Sequence, residues 1–98
     1  MYTFIREASF KTMADAVRGM PVAAQIVKYY KDTIGADLQL ARPISGSPLR
    51  LRFIAQIESL DKWQADQAKV VQDPAFHKLL TEFAPLVDGS KTYDEIWR

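Results

Sequence analysis

The sequence predicts an α+β domain: a four-stranded antiparallel sheet with two covering helices. Two observations lead there. A strand–helix–strand pattern occurs twice, either side of Ser45-Gly46-Ser47-Pro48, and Leu49, Leu51, Phe53, Ala55 and Ile57 give one strand an unbroken apolar face. A third observation concerns assembly. The reverse face of the sheet is not polar enough to be left in water, which predicts a homodimer with a cavity between the two sheets.

The chain is expected to form a single domain over residues 1–98, large enough for a core but small enough to gain from oligomerising. Hydrophobic residues make up 48% and charged residues 26%, the balance of a soluble globular protein. Thirteen Lys and Arg against twelve Asp and Glu leave a net charge of +1, which argues against non-specific nucleic-acid or anionic-membrane binding. With no cysteine, disulfides, thiolate metal sites and a Cys nucleophile are excluded. Met1-Tyr2-Thr3-Phe4-Ile5-Arg6-Glu7 does not read as a signal peptide, and no run approaches the ~18 apolar residues of a membrane span. A cytoplasmic location is the expectation.

Tyr2 to Phe10 alternates with period two. Tyr2, Phe4, Arg6, Ala8 and Phe10 share one face; Thr3, Ile5, Glu7 and Ser9 take the other, so a strand is predicted. Thr12 offers an N-cap with Asp15 three residues on. From Met13 the spacing turns helical, with Met13, Ala16, Val17, Met20, Ala23, Ala24, Val27, Tyr30 and Ile34 on the stripe expected to face the core. Pro21 predicts a kink within one helix, and Gly35 its end. Val22, Ile26 and Tyr29 fall roughly opposite that stripe, a second apolar strip that predicts burial against another subunit.

Asp37 to Pro43 is a short edge strand, and Leu49, Leu51, Phe53, Ala55 and Ile57 mark a central one. Ser59 caps the next helix, whose apolar positions are Leu60, Trp63, Val70 and Val71, with Gln67 among them. Phe76, Leu79, Leu80 and Phe83 form a later stripe sixteen residues out of step, roughly 160° away on a straight helix. Both can face one sheet only if the helix breaks between them. Asp73-Pro74 supplies the break, Asp73 as N-cap and Pro74 at the first helical position. Asp88-Gly89-Ser90 turns the chain into a last strand, Thr92 to Trp97. The resulting order, β-α-β-β-α-β, is ferredoxin-like.

Chemistry is sparsely marked. His77 is the only histidine, and Glu82, five residues on, is poorly placed to share a metal with it, so no metal or cofactor is expected. Arg50 and Arg52 alternate onto the less apolar face of the central strand. They read either as salt-bridge partners or as anion holders at the mouth of a cavity, and Arg6 and Glu7 invite the same two readings. There is no Gly-rich phosphate loop and no Gly-x-Ser-x-Gly elbow. An RNA-recognition surface would need a glycine and exposed stacking aromatics that Arg50-Leu51-Arg52-Phe53-Ile54-Ala55 lacks.

Glu58-Ser59-Leu60-Asp61-Lys62-Trp63, then Asp73-Pro74-Ala75-Phe76, then a closing strand resembles the dimeric α/β-barrel superfamily, in particular its NIPSNAP-like and antibiotic-biosynthesis-monooxygenase-like members. The detailed likeness covers residues 53–97. It implies paired ferredoxin-like subunits with sheets face to face. It also implies one of two functions: a binding module holding a small hydrophobic or carboxylate ligand, or a cofactor-independent monooxygenase or isomerase acting on an aromatic molecule. Arg52, Tyr93, Trp97 and His77 are the candidate residues for that enzyme, the arginine holding an anion and the others shaping or protonating. Haem-degrading relatives use an Asn in the first strand and a His one turn after the Phe. This chain has no Asn in its first strand, Leu80 stands one turn after Phe76, and His77 is off by most of a turn.

Overall fold

β1 (Tyr2–Ser9) and β3 (Arg50–Ile57) pair antiparallel along their full length, from Tyr2 opposite Ile57 to Ser9 opposite Arg50. These two strands have the longest alternating patterns, and they form the centre of the sheet. The computed structural model describes all residues, Met1–Arg98. β2 (Gln39–Ala41) lies outside β3 and β4 (Tyr93–Trp97) outside β1, giving the order β2-β3-β1-β4. β2 is shorter than Asp37 to Pro43. Leu38 is nevertheless buried just before it, and Pro43, which cannot donate to a ladder, stands just after. Phe10 lies beyond β1 as an isolated bridge to Val87, where Lys11 N–H and Asp88 N–H also tie the two segments together.

α1 (Met13–Ile34) is one continuous helix through Pro21, with Thr12 accepting from Asp15 N–H at its start. Gly35 ends it at φ 69°, a left-handed conformation that glycine adopts without a Cβ penalty. The face it buries keeps most of the predicted stripe, with Met20, Val27 and Ile34 packed on the core, but is shifted to one side of it. Ala16, Gly19, Ala23, Ile26 and Tyr30 are buried, and Val22 and Tyr29 pack beside them against the same core. Met13 and Val17 are instead 54% and 73% exposed. The supposed second strip is thus one flank of a single broad face, and α1 turns no separate apolar side outward.

Gly19 explains the rotation. The Phe10 ring, 1% exposed, lies directly on Gly19, where a Cβ would come within 2.9 Å of ring Cζ. Phe83 stands edge-on to that ring at 5.8 Å and Phe53 edge-on to Phe83 at 6.1 Å, so the ring has nowhere to retreat. A glycine counts as nothing in a hydrophobic pattern, yet here the helix backbone lies directly against a ring just beyond β1.

α2 (Leu60–Gln72) and α3 (Pro74–Phe83) meet at the predicted break. Asp73 Oδ1 accepts from Ala75 N–H at 2.9 Å, and its Oδ2 accepts from the Tyr29 hydroxyl at 2.6 Å. One carboxylate therefore caps α3 and fastens it to α1. In α3, Phe76 and Phe83 are buried; in α2 only Val70 is, while Leu60 and Val71 lie 39% and 61% exposed. Two 3₁₀ turns, Ala84–Leu86 and Gly89–Lys91, lead into β4. The core lies between the sheet and the helices. The other face of the sheet carries no element of this chain.

Replacing Gly19 by Ala tests the contact. Helix propensity alone would stabilise the variant by about 1 kcal/mol. Overpacking against Phe10 is expected to outweigh this, destabilising by about 1–3 kcal/mol gross, so that urea unfolding shows a net loss. A gain in stability would contradict the packing described.

Candidate functional site

Between the helix-covered face of the sheet and the helices lies a cavity of about 550 Å³, most of whose lining residues are hydrophobic. Its walls are aromatic. Phe4 and Trp63 lie 4.9 Å apart, Trp63 stacks near-parallel to Tyr30 at 6.4 Å, and Phe76 stands edge-on to Tyr30 at 5.9 Å. Phe53 and Phe83 complete the ring, with Ala8, Ala84 and Val87 at one end. Small residues on β1 and at the end of α3 leave the space that larger ones would fill.

A small polar group interrupts this wall. Arg6 sits on the buried phase of β1 directly opposite Asp94 of β4, and the pair is bidentate, Nε to Oδ1 and Nη2 to Oδ2 at 2.7 Å each. Both side chains keep partial contact with water, as expected of a pair at a cavity rim. The Asp94 hydrogen bonds, opposed by burial, hold the Arg6 pKa above its ordinary value, so the guanidinium stays charged. The Tyr30 hydroxyl lies beside Arg6 and donates to Gln67 Oε1 at 3.1 Å. Burial raises its pKa more than Arg6 and Gln67 lower it, so Tyr30 remains a neutral phenol at physiological pH. Gln67 Nε2 is buried with no partner. The site can hold an apolar molecule and present, at one edge, donors from Arg6 and the Tyr30 oxygen as an acceptor. It brings no acid–base pair shifted toward neutrality.

The uncovered face of the sheet carries a second charge cluster. Glu7 is 5% exposed in its side chain and accepts from Arg50 Nε and Arg52 Nε, each at 2.5 Å. Burial pushes the Glu7 pKa up, but the two arginine hydrogen bonds outweigh it and hold the carboxyl below its usual range. Ile5 and Ile54 pair across the middle of the same face, and Tyr93, Glu95 and Trp97 share it along β4.

The four sequence candidates do not share one site, although Arg52 and Tyr93 flank Glu7 from its two neighbouring strands. Arg52 and Trp97 lie on the uncovered face, Arg52 engaged with Glu7 and Trp97 58% exposed near the opposite end. Tyr93 is at the start of β4, on that face but touching the cavity edge. His77 is exposed on α3 with its ring nitrogen on Val71 O, away from the cavity. Besides Tyr93, the cavity's polar residues are Arg6, Tyr30, Thr92 and Asp94, with Gln67 behind Tyr30. Of these, Arg6 was open in the sequence to the reading the structure gives it, a salt-bridge partner at a cavity edge.

Comparison with protein-family models and with curated proteins finds no match. Solved structures do match. A NIPSNAP family protein from Agrobacterium tumefaciens superposes with a TM-score of 0.82 at 12% identity, covering 99% of this chain and 90% of that one. An antibiotic biosynthesis monooxygenase gives 0.74 at 12% identity, covering 100% and 97%. A variant of SnoaB, a cofactor-independent oxygenase from Streptomyces nogalater, gives 0.72 at 17% identity, covering 99% and 90%. The chain therefore has the ferredoxin-like α+β fold of these proteins, as the marks in its second half imply.

The lowered Glu7 pKa carries a pH dependence. Its pairing stabilises the fold fully above the ordinary value of 4.5 and is lost as pH falls through the depressed folded value. Glu7→Gln is expected to be less stable than wild type at pH 7 by about 1–3 kcal/mol, the scale of hydrogen bonds to charged groups. That gap should close progressively below pH 4.5, as read by chemical denaturation at several pH values. A gap unchanged down to pH 2 would show that the charge on Glu7 is not what stabilises.

Proposed function

We propose that this protein is a homodimeric α/β barrel of the NIPSNAP-like kind that binds a small, mainly apolar molecule. The observation that carries the reading is the aromatic-walled cavity beneath the helices, of a size that suits a small-molecule ligand. This departs from the expected location. The binding space formed within one chain is on the covered face of the sheet, whereas the sequence pattern suggested the space between two sheets. Asp94 already balances Arg6, so a ligand carboxylate would have to displace it, and an uncharged hydrogen-bonding ligand suits the rim better.

Dimerisation is supported by the uncovered face. Ile5 and Ile54 pair at its centre and Trp97 is exposed toward the far end of the same face, apolar surface that a second copy of the chain would cover. The alternative, a cofactor-independent oxygenase or isomerase, has the likeness to the Streptomyces oxygenase in its favour, but at 17% identity that likeness carries the fold alone. A binding role needs only what the cavity contains.

Native mass spectrometry of the purified protein, with ligand fluorescence titrations read through Trp63, tests the binding role. Ala84→Trp, at the cavity end, is expected to abolish binding while leaving the circular dichroism spectrum unchanged. Binding that survives this change places the ligand elsewhere. Light scattering tests the assembly: wild type is expected to be a dimer at micromolar concentration and Ile54→Lys a folded monomer. A monomeric wild type would remove the barrel from the proposal.

A further inference from the structure

The arginines at the β2–β3 end of the uncovered face are only partly used by the protein. Arg50 and Arg52 each give Nε–H to Glu7, and neither has a partner inside the chain for its Nη groups. Their side chains remain 39% and 43% exposed. Arg42, from the loop after β2, spends Nη2 on Pro48 O at 2.5 Å and is otherwise free. The three guanidinium groups line a pocket of about 330 Å³, separate from the aromatic cavity, whose floor includes the buried Glu7. Three positive charges against one negative leave this pocket at +2.

Glu7 is too buried to meet a solute, so its part is to hold two guanidinium groups by their Nε atoms, leaving their Nη groups without a partner in the chain. Each arginine so held keeps terminal Nη–H donors, the groups with which arginine binds oxyanions. A single carboxylate would leave one positive charge unbalanced. A dianion would not. The volume lies at the small end of ligand pockets, room for a small solute only.

We propose that Arg42, Arg50 and Arg52 form a binding site for a small tetrahedral dianion: phosphate, or the phosphoryl group of a small ester. The site stands apart from the aromatic cavity and does not depend on what that cavity binds. It lies at the end of the sheet face away from Trp97, beside the loop that carries Arg42.

The test is a titration of the full chain, labelled with ¹⁵N-arginine, with inorganic phosphate, glycerol 3-phosphate and acetate at constant ionic strength. Saturable shifts of the arginine Nε–Hε signals are expected with phosphate or glycerol 3-phosphate, at least about tenfold tighter than with acetate. Tighter binding of glycerol 3-phosphate identifies an ester, and equal binding identifies the free anion; either supports the site. Arg52→Gln should weaken binding about tenfold or more. Arg42→Gln should do the same without touching the Glu7 pairs, so it keeps the test valid if Arg52→Gln folds poorly. Phosphate binding no tighter than acetate, or wild-type affinity in a folded Arg42→Gln, would overturn the proposal.

Discussion

The contact of Phe10 with Gly19 is the constraint on which the rest of the fold depends. It joins the end of β1 to the middle of the first half of α1, with no Cβ between ring and helix. Once that point is fixed, the helix can rotate little. Ile26 and Tyr30, two and three turns further on, are then carried to the sheet side, where both line the cavity. Tyr29 follows on the flank and reaches Asp73, which sets where α3 begins. A residue without a side chain thus determines where a phenol is delivered some 16 Å along the helix, at 1.5 Å per residue over eleven residues.

β1 places two neighbouring charges in opposite surroundings. Arg6 projects into the apolar layer and is balanced by Asp94 from one side; Glu7 projects to the uncovered face and is balanced by Arg50 and Arg52 from the other. Arg6 finds Asp94 and Glu7 finds Arg52 directly across the ladder, where antiparallel pairing brings side chains closest, and Arg50 reaches Glu7 from the diagonal position. The register of the sheet is thereby specified twice. A slip of one residue would send Arg6 to the uncovered face and Glu7 into the aromatics, separating both ion pairs.

What could be read in the sequence was what local chemistry encodes. Asp73-Pro74 announced the break between α2 and α3 because the cap and the fixed proline φ act within a few residues. β3 was plain because Leu51, Phe53, Ala55 and Ile57 alternate without interruption. The face of α1 was legible in Ala16, Ala23 and Tyr30 but not in full, for a physical reason. Its tightest contact is made by glycine, which has no hydrophobic signal, while Met13 and Val17 supply signal and point to water. The cavity was out of reach for another reason: it is a shortfall of volume shared among several elements, and periodicity records only what is present. Arg6 lay in view on the buried phase of its strand, but its partner Asp94 is 88 residues away.

The thin anchoring of α2 has a consequence for traffic through the cavity. Val70 is its one fully buried residue, and Trp63, which it contributes to the wall, is only half-buried. The sheet is held by ladders on both sides of β1, and α3 by two buried phenylalanines and the Asp73 clasp. Opening free energies in a native protein follow such differences. α2 is therefore the cheapest part of the enclosure to displace, and hydrogen exchange through its amides would run ahead of exchange in β1 and β3. Solute exchange with the interior can then proceed by sub-global opening of one helix while the sheet and both of its ion-pair clusters stay intact.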